Sequence, residues 1–252
     1  RKMIQMSTTS NHCNYPYPEC NRCVALPFCN KVKGTVSVDM RTSWCNAKYR
    51  LDKALELAKL PKQYLCANIY NYKVDNDNQE TYDKIRPFIA NIVDEIDSGL
   101  NVCLVSKGSG TGKTFTAAMF LNHFIYKTCI TSRFDFETPL AMFVEYAEFI
   151  HHARYRDQYE DIFQEFELMQ QVPLLLLDDV GAGTMTDFAR EQTYLLLNER
   201  YNEGLSNIVT SNFFLSDLKK DELLGKRCVS RISNNLLYLE LKGKDRRVRL
   251  RG

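Results

Sequence analysis

The chain has 252 residues, 44% of them hydrophobic and 25% charged, with only 11 Gly and 7 Pro, a balance that builds a packed core and excludes disordered, collagen-like and low-complexity classes. Its net charge of +2 hides an asymmetry: residues 219–252 hold 11 Lys or Arg against 4 Asp or Glu, so a polyanion partner is sought there first. No apolar run approaches the roughly 20 residues that a membrane-spanning helix needs, and the expectation is a cytoplasmic protein with no membrane partner.

Five of the nine cysteines, Cys13, Cys20, Cys23, Cys29 and Cys45, fall within the first 45 residues. Cys20 and Cys23 have the spacing of half a zinc site, because two thiolates so placed hold one tetrahedral ion from a tight turn. Four of the five would complete it, with His12 a further ligand option. Disulfides are disfavoured in a reducing compartment, and a unit this small needs a staple. Next, Leu51, Leu55 and Leu57 form an apolar stripe that predicts a helix over 49–60, stopping before Pro61. The predicted domains are therefore a cysteine-rich zinc module, 1–60, and a second domain, 61–252.

Downstream the pattern alternates. Strands are predicted at 102–105, 141–144, 174–177 and 207–210, and helices at 113–127, 155–171 and 187–202, the last opened by a capping-box spacing of Thr184 and Asp187 and closed by Gly204. Strands separated by helices predict an α/β fold, a mostly parallel sheet with helices on both faces. His123, His151 and His152 show no ligand pattern and read as ordinary helix residues.

After the first strand comes Ser106-Lys107-Gly108-Ser109-Gly110-Thr111-Gly112-Lys113-Thr114, leading straight into a helix. This is a phosphate-binding loop. The glycines turn backbone amides toward phosphates, the helix N-terminus adds its positive end, Lys113 reaches the β and γ phosphates of ATP, and the Thr114 hydroxyl ligates Mg2+. The strict pattern has Gly at position 107, where this chain has Lys, with Gly108 displaced by one. The strand 174–177 then ends in Asp178 and Asp179, the companion such a loop needs: Asp178 for the magnesium, Asp179 for the water that attacks the γ-phosphate. Asn212, at the end of 207–210, falls on the sheet edge where ligands bind in open α/β folds.

Leu176-Leu177-Asp178-Asp179-Val180-Gly181-Ala182, Val209-Thr210-Ser211-Asn212-Phe213, Ser230-Arg231-Ile232 and Gly243-Lys244-Asp245-Arg246-Arg247 resemble the DnaC/DnaI-type helicase loaders of bacteria and phages, a branch of the AAA+ ATPases close to the initiator DnaA. The likeness covers about residues 60 to 250. It implies an AAA+ sheet that binds ATP or ADP, with Asn212 as sensor I, Arg231 as an arginine finger offered to a neighbouring subunit, Arg247 as sensor II and Arg227 as a second arginine of the finger motif. The partners it implies are a hexameric replicative helicase gripped by the N-terminal module, single-stranded DNA, and further copies of the chain in an ATP-dependent ring or spiral. Asp179 stands where many AAA+ proteins have Glu, and its shorter reach implies slower hydrolysis. Two other readings share the fold. One is an IstB-type transposition regulator, in which clustered cysteines are not expected; the other is an ATP-gated DNA-binding adaptor that hydrolyses little, suggested by Lys107.

Overall fold

The computed structural model describes residues 46–246 apart from 130, 132 and 244, and of 46–49 the backbone alone. The five N-terminal cysteines, His12 and Arg247 lie outside the described residues. Helix α1 (Asn46–Leu57) and a 3-10 turn at Lys62–Tyr64 lead to α2 (Gln79–Ala90) and α3 (Ile92–Asp97). Then follow β1 (Asn101–Val105), α4 (Lys113–Thr128), β2 (Ala141–Glu145), α5 (Tyr146–Tyr155), α6 (Glu160–Gln171), β3 (Leu174–Asp178), α7 (Asp187–Asn202), β4 (Ser206–Ser211), α8 (Leu215–Leu218), α9 (Gly225–Ile232) and β5 (Leu236–Glu240).

The five strands form one parallel sheet in the order β2-β3-β4-β1-β5. Strands β1, β3 and β4 are buried along their whole length, as apolar runs covered on both faces should be. Alternate side chains divide between two cores. Val102, Leu104, Leu174, Leu176 and Ile208 face a cluster with α1 to α4; Cys103, Val105, Leu175, Leu177 and Val209 face a second cluster with helices from α5 to α9. Leu51, Ala54, Leu55, Ala58 and Leu60 belong to the first cluster, so the helix at the end of the predicted N-terminal module packs into the core of the sheet domain.

Local departures from the sequence reading have physical causes. The amphipathic stretch 155–171 divides at Tyr159, whose extended backbone (φ −135, ψ 123) separates α5 from α6. Thr186, rather than Thr184, caps α7: its backbone is extended (φ −95, ψ 162) and its hydroxyl accepts the Ala189 N–H. The edge strand β5 has a half-exposed pattern that carries little periodic signal.

Arg200 of α7 is fully buried. Its guanidinium donates to Met169 O, Val172 O, Ser206 O and Asn207 Oδ1 at 2.6–2.9 Å. It thereby satisfies a C-terminal carbonyl of α6 and ties that helix to β4. His123 of α4 is also buried, with Nε2 accepting the Ile69 N–H at 3.2 Å. Burial, helped by the Lys127 charge, draws its pKa from 6.5 down to about 4.

A stability measurement follows from His123. Between pH 4 and 6.5 the unfolded chain binds this proton and the folded chain does not, so the stability tied to neutral His123 is complete above pH 6.5 and is lost as pH falls toward 4. The full loss is about 3 kcal/mol. His123→Gln keeps an acceptor for Ile69, and its unfolding free energy should be flatter than that of the wild type over this window. Parallel curves would contradict the assignment.

Candidate nucleotide site

Parallel pairing brings the C-terminal ends of β1, β3 and β4 to one edge: Val105 lies beside Ser211, and Leu177 beside Val209. Out of β1 the chain turns through the phosphate loop into α4. Two of its glycines, Gly110 (φ 72) and Gly112 (φ 98), hold the left-handed conformation that only glycine adopts freely. Lys107 has an ordinary negative φ, so the loop accepts it without backbone strain. Its exposed ammonium lies 5.2 Å over the Phe214 ring.

The loop is braced from within. Ser106 Oγ donates to Gly108 O at 2.7 Å and pairs with the Thr111 hydroxyl at 2.8 Å. The buried Lys113 ammonium donates to Ser106 Oγ at 2.7 Å, Gly108 O at 3.0 Å and Asn212 Oδ1 at 2.8 Å. Asn212 in turn donates from Nδ2 to Asp179 Oδ1 at 2.8 Å. One amide thus joins the lysine to the second carboxylate.

Asp178 accepts the Thr210 hydroxyl at 2.6 Å and the Thr114 hydroxyl at 3.1 Å. Burial pushes its carboxyl above the ordinary range; the Thr210 and Thr114 hydroxyls hold it back, and the charges of Asp179 and Glu145 add to the rise. A buried carboxylate crowded by two others and converging with a hydroxyl is a donor set that fits a hard divalent cation. Asp179 has φ 59, an uncommon backbone for a non-glycine residue. Its N–H donates to Thr210 Oγ1 at 2.8 Å, so one threonine holds the Asp178 carboxylate and the Asp179 backbone together. Thr210 was not singled out in the sequence, although strand alternation puts it on the same face as Asn212.

The C-terminal segment also reaches this site. Arg246 N–H donates to Gly110 O at 2.8 Å, and its guanidinium pairs with Asp75 at 2.8 Å. A Cβ on Gly110 would fall 1.8 Å from Asp245 Oδ1, so that carboxylate lies directly on the phosphate loop. Arg247, to which the family resemblance assigns the nucleotide contact, lies outside the described residues; Arg246 hydrogen-bonds to the loop through its backbone N–H alone, and no local pattern in the sequence marks Asp245. Arg227 and Arg231 are both on α9, engaged by α7 rather than by their own phosphate loop. Arg227 stacks 3.9 Å over Tyr194. Arg231 donates to Asn198 Oδ1 at 3.0 Å and lies 4.6 Å over Tyr201. It lines an open cleft with Lys219, Lys226 and Ser230.

A parallel sheet in this order, with a phosphate loop after β1 and paired carboxylates at the end of β3, defines an AAA+ P-loop ATPase. The model for the family "IstB-like ATP binding protein" matches residues 38–251, and the chain belongs to that family. It is similar, at 23% identity over 266 residues, to the replicative helicase loader DnaI of Bacillus subtilis (strain 168), with 98% of this chain and 82% of that protein covered. Among solved structures, that of the DnaC helicase loader matches with a TM-score of 0.60 at 26% identity over 72% of this chain and 100% of that one. The replication initiator DnaA bound to AMPPCP and single-stranded DNA shares the fold, with a TM-score of 0.55 at 20% identity over 74% of this chain and 52% of that one. Among the described residues no helix is long and apolar enough to cross a membrane.

Proposed function

We propose that this protein is an ATP-dependent loader that places a hexameric replicative helicase on single-stranded DNA. The observation that carries this reading is the Lys113–Asn212–Asp179 chain of hydrogen bonds, combined with a pair of arginines held against α7. The first links phosphate binding to the residue that positions water, and the second supplies what a neighbouring subunit's site lacks. In this reading the loop amides from Gly108 to Gly112 and Lys113 hold the phosphates, Ser109 and Thr111 among them. Thr114 and Asp178 would hold magnesium, which would supply charge neutralisation to the phosphates. Asp179 orients the attacking water, Asn212 reports the γ-phosphate, and Arg231, supported by Arg227, completes the site of the next copy in a ring or spiral. Arg247 contributes a sensor II contact. Similarity to DnaI over nearly the whole chain supports the loader role.

The IstB-type regulator is the second reading, favoured by the family to which the chain belongs. A pull-down against a hexameric helicase, with and without ATP, separates the two. Retention of the helicase supports the loader, and its absence under both conditions supports the regulator.

The N-terminal module would grip the helicase and hold zinc through four of Cys13, Cys20, Cys23, Cys29 and Cys45. Cys20→Ser or Cys23→Ser should release about one zinc per chain and unfold the cysteine-bearing segment ahead of α1, leaving ATP binding intact. Retention of the ion would end this assignment.

Single-stranded DNA would follow the basic C-terminal region. Arg246 is committed to Asp75, so Lys242 and Lys244 are the residues to test. Their joint replacement by Ala should weaken oligonucleotide binding and flatten its salt slope by roughly 0.7 for each phosphate no longer neutralised, with ATP affinity unchanged. An unchanged slope places the strand elsewhere.

A further inference from the structure

Helices α5 and α6 meet at a polar cluster that nucleotide binding does not use. Glu148 and His152, four residues apart on α5, leave one helical face, and Glu165 meets them from α6. One donor atom from each of the three lies within 4.8 Å of the others. His152 is only 9% exposed, and its Nδ1 is buried with no hydrogen-bond partner, 3.8 Å from Glu165 Oε1. Leaving such a nitrogen unsatisfied costs about 1–3 kcal/mol. Glu165 is already oriented, since its Oε2 takes the Lys59 ammonium at 2.5 Å, which leaves Oε1 toward the imidazole.

We propose that Glu148, His152 and Glu165 bind a divalent transition metal of the zinc class, which clamps α5 to α6. One imidazole nitrogen and two carboxylate oxygens, with water in the fourth position, are a common zinc donor set. Magnesium and calcium prefer oxygen shells and suit this set less well. Tetrahedral zinc at its usual bond lengths separates its ligand atoms by about 3.4 Å, so small rotamer shifts of exposed Glu148 and half-buried Glu165 close the site. The stacked Phe149–Phe166 pair, each ring next in sequence to one of the glutamates, already joins the two helices. Lys59 would remain on the outer carboxylate oxygen as an orienting partner. Sequence spacing alone did not reveal the site, because the third ligand arrives only when α6 folds against α5.

The test uses the full-length protein, stripped with a chelator and titrated with zinc and, separately, with cobalt(II) as a spectroscopic probe. Thiolate ligation by the N-terminal cysteines gives intense near-ultraviolet charge-transfer absorption. The helical site has no sulfur and should add weaker visible bands without it. Glu148→Gln, at an exposed position, should remove those bands and reduce zinc affinity at one site by about 100-fold, with ATP hydrolysis unchanged. His152→Gln should do the same, and the exposed Glu148 variant keeps the test decisive if that protein fails to fold. Identical cobalt spectra and zinc stoichiometry for wild type and Glu148→Gln would overturn the proposal.

Discussion

Lys113→Ala is expected to lose ATP binding, while Asp179→Asn binds ATP and leaves it uncleaved. The lysine ammonium is buried among Ser106, Gly108 and Asn212, and its removal deletes the side-chain cation aimed into the loop. Charge-assisted contacts of this kind are worth about 1.5–3 kcal/mol each, so affinity should fall by about 100-fold or more. Asparagine at position 179 preserves size and an oxygen for the Asn212 amide, and it tolerates the φ of 59 at least as well as aspartate does. Folding and binding should therefore survive. What disappears is the negative charge that orients or deprotonates water, worth about 10²–10⁴ in rate. Equilibrium ATP binding and steady-state phosphate release, measured on both variants, separate the two roles. Unchanged turnover in Asp179→Asn would remove its catalytic assignment.

Arg231→Ala should hydrolyse ATP about a thousandfold more slowly in the assembled state, while each isolated subunit binds ATP normally. The side chain is half-buried, donates to Asn198 and lies over the Tyr201 ring, so its loss costs about 1–2 kcal/mol of stability. A large rate effect with a small stability effect is the signature of action on a neighbour. Mixing supplies the proof: an Arg231→Ala subunit retains a complete phosphate loop, and a Lys113→Ala subunit retains a complete arginine finger. Where the two meet in the right order, one working site is restored. If the mixture stays inactive under conditions where wild-type subunits hydrolyse ATP, the finger does not act in trans.

Much of this site was legible in the sequence because its parts are local. The phosphate loop announces itself through Gly112, Lys113 and Thr114 after an apolar strand, and the Asp pair through the four leucines before it. Parallel pairing then carries them together with Asn212 to one edge of the sheet, a consequence of fold class more than of any particular side chain. The contacts that were not legible depend on tertiary packing. Asp245 reaches Gly110 across 135 positions of chain, and Thr210 gains meaning only because β4 lies beside β3. Arg200, a charged residue in a helical pattern, reads as a surface position, yet its burial is offset by four carbonyl and amide oxygens from α6, β4 and the chain between them. Lys107 is the reverse case: in the sequence it threatens the loop, and in the structure its backbone is unstrained and its ammonium lies outward over Phe214.

If the protein is a loader, ATP held at the Lys113 site drives the opening and placement of a ring-shaped helicase. Circular single-stranded DNA has no end over which a closed ring can thread, so helicase recovered on such circles reports opening directly. With the full-length protein, ATP and a partner replicative helicase, loading onto circles should rise well above the level of helicase alone and should vanish with Lys113→Ala. Loading that is equal with wild type, with Lys113→Ala and with no added protein would rule out an ATP-driven loader.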